Sequence, residues 1–156
     1  FPCDSNLTLI AASIPIAQFT SFKRNVEEEF NGVVNSMLAL TERFSKADRE
    51  GPIRGSGSIP GYLRFPYGDG WALVGDAGMV MDPWSGQGID QATTHSVLLA
   101  DSLDNYFSGK NDWKNAMSAY HAARNEFSLK TYQRTCKFSV DFRPMTNEAL
   151  KRRGLG

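Results

Sequence analysis

Apolar positions recur along this chain in two registers, one close to that of a strand and one close to that of a helix. Leu7 to Ile14 is rich in strand formers and stops at Pro15. From Phe22 a helical period takes over, with Phe22, Val26, Phe30, Val33, Met37 and Phe44 along one stripe. Thr20 or Ser21 is placed to cap that helix, Glu27, Glu28 and Glu29 face water, and Asn31-Gly32 is expected to bend or split it. Gly51-Pro52 ends the region, and Ile53 to Ile59 reads as a weak strand broken by glycine. Tyr62 to Phe65 is a further short strand, and Tyr67-Gly68-Asp69-Gly70 turns as a hairpin into Trp71 to Val74. Gly88 to Phe107 predicts a strong helix with Ile89, Ala92, Ser96, Leu99, Leu103 and Phe107 on one face. Asn111 or Asp112 caps another helix through Trp113, Met117, Tyr120, Ala123 and Phe127. A last helical stretch runs from Leu129 towards Val140, before Pro144.

Strands lead and helices follow, which predicts a mixed chain of α/β class that is α+β over this stretch. Its 156 residues suffice for one ordinary core. Seventeen basic and seventeen acidic residues balance, so charge gives no case for nucleic acid or an anionic membrane as partner. The apolar run from Leu7 to Ala17 is interrupted by Thr8, Ser13 and Pro15 and is too short and polar to span a bilayer. Cys3 and Cys136 lie far apart in sequence, as expected for unpaired thiols in a reducing, cytoplasmic setting.

Candidate chemistry concentrates in residues 71–92. Ala72, Leu73 and Val74 lead into Gly75-Asp76, a loop carrying Pro83 follows, and Gly86-Gln87-Gly88 opens the long helix. The order suits a polyol beside an anion. Asp76 offers a carboxylate to hydroxyl donors, and glycines at 86 and 88 let a ligand lie close to the backbone. The helix start contributes unpaired N–H groups and the positive end of its dipole.

With those residues in view, the segment resembles the Gly-Asp motif of FAD-dependent monooxygenases of the aromatic-hydroxylase type, a family related to flavin halogenases and geranylgeranyl reductases. Its flanks, from Pro60-Gly61-Tyr62-Leu63-Arg64 through Leu98-Leu99-Ala100-Asp101, are similar to a soluble subgroup of these oxidoreductases. The resemblance implies FAD as cofactor, with Asp76 on the ribityl chain and Pro83 against the isoalloxazine. Gly75, Gly86, Gln87, Gly88 and Ile89 complete the cofactor-binding set, with backbone N–H groups at Gln87, Gly88 and Ile89 facing the pyrimidine edge. It also implies NAD(P)H as electron donor and oxygen transfer from a C4a-hydroperoxide to a small organic substrate, with the Pro83 carbonyl as the catalytic contact. Arg64, Met81 and Trp84 are the substrate-pocket candidates.

Family members open with a Gly-x-Gly-x-x-Gly fingerprint for the ADP half of FAD, and none occurs here; Gly55-Ser56-Gly57-Ser58 is too short. The chain is therefore expected to be the carboxy-terminal part of a longer protein, whose missing amino-terminal part would be its partner. On that expectation residues 1–60 belong to a substrate-binding sheet with helices. Residues 61–108 close a Rossmann-like FAD-binding domain, and residues 109–156 form a helical end.

Other readings of the same residues remain open. Asp76 and Asp82 suggest the magnesium aspartates of a phosphohydrolase, but no Asp-x-Asp pair precedes them and Pro83 and Gly86-Gln87-Gly88 would have no role. A geranylgeranyl-reductase-type enzyme would use the same cofactor contacts, and a flavin-free packing module is the non-enzymatic alternative. His95 and His121 lack a second ligand at helical spacing, so no metal is expected and both read as partly buried helical histidines. Ser85 lacks the first glycine of a nucleophile elbow. Lys151-Arg152-Arg153 reads as a solvated tail.

Overall fold

The computed structural model describes residues 1–141 and Lys151, the side chains of 38–40 excepted; Pro144, Arg152 and Arg153 lie outside the described residues. Two compact units divide the chain, Phe1–Ser58 and Ile59–Gly156.

In the first unit, a 3-10 turn at Ile16–Gln18 leads into α1 (Phe19–Arg24), α2 (Val26–Asn35) and α3 (Leu38–Phe44). The expected strand over Leu7 to Ile14 does not form. Its pairing is a single bridge from Thr8 to Pro2, and Leu7 and Leu9 remain exposed. Strand-forming side chains without a partner strand gain no ladder bonds, and propensity alone does not hold an extended segment. Ile53 to Ile59 likewise lies outside any strand. The helical register from Phe22 is correct, but its breaks fall elsewhere. Asn25 leaves the helical region at φ −145°, ψ 64°, and Met37 leaves it at φ −97°, ψ 89°. Asn31-Gly32 stays inside α2, where burial of Val34 and contact of the Phe30 and Phe44 rings (centroids 6.2 Å apart) outweigh the roughly 1 kcal/mol cost of a helical glycine. Thr20 and Ser21 lie within α1 and do not cap it.

In the second unit, four two-residue strands precede two long helices. β1 (Tyr62–Leu63) pairs antiparallel with β4 (Met79–Val80), and β2 (Tyr67–Gly68) with β3 (Trp71–Ala72), the latter pair closing the expected hairpin. β4 falls in what reads from sequence as loop. α4 (Gly88–Phe107) has the expected bounds, and α5 (Trp113–Val140) runs on where a separate last helix was expected. Asp112 caps α5 by accepting the Asn115 N–H at 2.7 Å.

The two helices pack antiparallel. Gln91 and His95 of α4 meet Ser128 of α5, while Tyr106 meets Trp113 edge-on at 5.4 Å. Ala116, Met117 and Tyr120 are sealed between the helices and the strand segment. One face of α5 donates to carbonyls within and next to these short strands. Trp113 Nε1 donates to the Gly68 carbonyl at 3.1 Å, the Tyr120 hydroxyl to Leu73 at 2.6 Å, and Arg124 Nη1 to Arg64 at 3.1 Å. Arg124 is 1% exposed; its Nε and Nη2 both donate to Asn125 Oδ1. Burial draws the Arg124 pKa below its ordinary value, and Tyr120 opposes the shift.

A second polar chain lies between the helices. Ser128 donates to Gln91 Oε1 at 2.6 Å, so its oxygen accepts from His95 Nε2 at 2.8 Å. His95 is then the neutral tautomer with a bare Nδ1, and Nδ1 has no partner among the described residues. Ser128→Ala leaves Gln91 and His95 buried without their shared partner. It is expected to cost about 1–3 kcal/mol in urea unfolding, and an unchanged midpoint would contradict the network.

Burial, then the Arg124 charge, lowers the His95 pKa, and His121 shifts the same way for the same causes. In the unfolded chain the imidazoles take up protons near pH 6.5, while in the fold they resist doing so. The unfolded state therefore binds more protons as the pH drops. Stability that is full above about pH 6.5 is lost as pH falls towards the lowered folded values. Unfolding free energies measured across the acid range should show this loss, and His95→Gln should flatten it. Equal slopes for both proteins would place the linkage elsewhere.

Candidate functional site

Asp76 stands on a 3-10 turn, Gly75–Ala77, rather than at a strand end. Val74 is still extended at φ −125°, ψ 158°, but Gly75 turns left-handed at φ +52°. That reversal seats the turn on α4. A Cβ at Gly75 would lie 2.9 Å from the Cβ of Ala92, so glycine is required there both by conformation and by packing. Ala92 is one helical turn in from the start of α4, a rise of about 6 Å. The Asp76 carboxylate is exposed and has no hydrogen-bond partner among the described residues.

Two side chains brace the turn from β1 and the residue after it. The Tyr62 hydroxyl donates to the Asp76 carbonyl at 2.8 Å, and Arg64 Nη1 donates to the next carbonyl, Ala77, at 2.9 Å. The Arg64 guanidinium lies over the Tyr62 ring, 4.2 Å from its centroid. The Arg64 N–H also bonds the Gly78 carbonyl at 2.8 Å. Arg64, a substrate-pocket candidate from sequence, thus has a definite structural task beside Asp76.

The loop before α4 is built by its own side chains. Pro83 opens a 3-10 turn, Pro83–Ser85, where its missing N–H costs nothing. Asp82 Oδ1 accepts the Trp84 N–H at 3.1 Å, which occupies the second carboxylate of the phosphohydrolase reading. Gly86 closes the turn at φ +66° and donates its N–H to the Pro83 carbonyl at 3.0 Å. Ser85 accepts the Gln87 N–H through its hydroxyl at 3.4 Å. No side chain caps α4. The N–H groups left open at its first turn are therefore those of Gly88, Ile89 and Asp90, and Gln87 contributes its carbonyl to Gln91 instead.

Gly88 has helical backbone, and a Cβ there would meet nothing within 4 Å. Neither its φ nor a contact with the described residues calls for glycine at that position. Ile89 is 83% exposed beside it. The Trp84 ring lies edge-on to Phe138 of α5 at 6.4 Å, while Met81 is half-buried. Of the candidates, Gly75, Asp76 and Arg64 thus cluster on one turn packed against the first half of α4. Pro83, Gly86, Gln87, Gly88 and Ile89 form the continuous entry to that helix. Arg124, Gln91 and Ser128 have structural roles that no apolar register announces; for Arg124 and Ser128 the signal is a series Trp113, Tyr120, Arg124, Ser128, Thr135 at helical spacing on α5.

No family model matches the chain, and no solved structure matches it significantly. It is similar to a 1H-pyrrole-2-carbonyl-(peptidyl-carrier protein) brominase of Pseudoalteromonas luteoviolacea (strain 2ta16), at 30% identity over 89 residues. That match takes in 57% of this chain and 22% of the brominase, so the chain spans about a fifth of the length of the curated relative it matches.

Proposed function

We propose that this chain carries part of the FAD site of a flavin-dependent oxidoreductase acting on a small organic substrate. The observation that carries the reading is the packing of the Asp76 turn one helical turn from the uncapped start of α4. The turn that bears the exposed carboxylate thereby lies on the helix whose first N–H groups are open, an arrangement that suits a ligand with hydroxyls and an anionic ring edge. The residues fit that group. Asp76 would accept from the ribityl hydroxyls, and the open N–H groups at Gly88 and Ile89 would donate to the negative pyrimidine edge. The bare backbone at Gly88 would admit a flat ring, and the exposed ring of Pro83 would lie against it. FAD, when bound, supplies the redox chemistry, with NAD(P)H as the source of reducing equivalents. The chain supplies binding, orientation and fixed positive potential.

Oxygen transfer to the substrate is the first reading of the complete activity, from the resemblance to aromatic hydroxylases. The similarity to a brominase favours a second, in which a flavin-dependent halogenase uses the same cofactor contacts. An aromatic acyl group on a carrier protein, as in that relative's name, is then the substrate class to try first. Product analysis with and without bromide separates the two.

Asp76→Ala in the full-length protein should weaken FAD binding by about ten- to a hundredfold, the worth of hydrogen bonds to a charged acceptor. Titration of apoprotein with FAD reads this directly, and an unchanged dissociation constant removes Asp76 from the site. A Cβ at Gly88 has open space around it, so Gly88→Val should change the unfolding midpoint little while reducing flavin content. Gly109→Val, at φ +74° beyond the end of α4, should lower stability and spare the flavin in the folded protein. The opposite pattern would show that the start of α4 is not the cofactor contact.

A further inference from the structure

The brace on the Asp76 turn is built from side chains where backbone pairing does not reach. β1 pairs with β4 through Tyr62↔Val80 and Leu63↔Met79, and this register leaves the Gly75–Ala77 turn outside the ladder. Tyr62 and Arg64 then reach it by separate routes, one hydroxyl to the Asp76 carbonyl and one guanidinium to the Ala77 carbonyl. Stacking of the guanidinium on the Tyr62 ring couples the two. The bonds fall on consecutive carbonyls, so Tyr62 holds the Asp76–Ala77 peptide and Arg64 the Ala77–Gly78 peptide, and together they restrain the backbone from which the Asp76 side chain leaves. The Tyr62 hydroxyl and the Arg64 Nη1 donor both go to backbone carbonyls, and neither residue bonds the Asp76 carboxylate.

We infer that Tyr62 and Arg64 are positioning residues for the Asp76 carboxylate, setting its aim towards a polyhydroxylated ligand without touching that ligand. The inference rests on the proposed FAD site and adds to it the device that preorganises its acidic contact. An exposed aspartate on a free turn would have to be ordered at the moment of binding, which weakens affinity. Here the turn is ordered beforehand by two bonds and a stacked pair. Because both residues act through Asp76, their effect should vanish when that carboxylate is removed, which a residue supporting the general fold would not show.

The test is a double-mutant cycle in the full-length protein, read as the dissociation constant for FAD with unfolding midpoints measured in parallel. Tyr62→Phe, which deletes only the hydroxyl, should weaken FAD binding about two- to tenfold in the native background, the worth of one neutral hydrogen bond. In the Asp76→Ala background the same change should have no effect. Arg64→Ala should weaken binding in the native background alone, and Arg64→Lys, which keeps a donor but not the flat stack, should restore part of the loss. Equal effects of Tyr62→Phe in both backgrounds, or none in the native one, overturn the positioning role. So does an affinity loss that merely tracks a falling midpoint. If Asp76→Ala alone leaves FAD binding unchanged, the proposed site itself fails, and that outcome is distinct because it does not depend on Tyr62 or Arg64.

Discussion

Donation from α5 side chains to carbonyls of the strand segment is the constraint on which the second unit depends. Four strands of two residues cannot satisfy their own backbone, and a buried carbonyl without a donor costs free energy of the order of a lost hydrogen bond. Trp113, Tyr120 and Arg124 meet that need at Gly68, Leu73 and Arg64. Arg124 is the most demanding member. Its charge is withdrawn from water with neutral oxygens as partners, an arrangement that holds only if every bond is made. Such a network tolerates little sliding of α5 against the strands, which is why so small a sheet can hold a loop in register.

The site inherits this rigidity. Arg64 accepts from Arg124 at its carbonyl and donates to Ala77 through its side chain, so one residue links the buried helix face to the Asp76 turn. Leu73 accepts from Tyr120 two residues before Gly75 folds back onto Ala92. On the other helix, the Gln91–Ser128–His95 chain fixes α4 against α5 one turn in from its open N–H groups. Carboxylate and helix start are therefore each held by α5, through different residues.

Legibility from sequence followed the physics of each element. Gly88 to Phe107 carries a sustained helical period with a glycine-rich entry, and its bounds were plain. The hairpin at residues 67–72 was equally clear, because Asp69-Gly70 turns have a definite backbone demand. Leu7 to Ile14 was misread because a strand exists only through its partner, and β-branched composition says nothing about whether one is present. The helix breaks at Asn25 and not at Asn31-Gly32 because burial of Val34 holds α2 together, which turn chemistry alone does not show. In the site, residues 75–89 stand out in sequence as one contiguous stretch, but the 3-10 geometry of Gly75–Ala77 and the use of the Gln87 N–H by Ser85 do not show there. Arg124 was invisible for a plain reason: a charged residue on a helix is ordinarily on its water face, and only tertiary contacts show otherwise.

Three features of the second unit lie on the Asp76 turn and on α4, against which it packs: a carboxylate with no partner among the described residues, an uncapped helix start, and a glycine at 88 where a Cβ would meet none of the described residues. Their relation to a flavin is decided most directly by a crystal structure of the full-length protein grown with FAD. The account predicts the ribityl hydroxyls at hydrogen-bond distance from the Asp76 carboxylate, roughly 2.7 Å, with the ring over Gly88 and its pyrimidine edge on the N–H groups of the first turn of α4. A flavin bound elsewhere, with Asp76 and Gly88 still facing water, would contradict it.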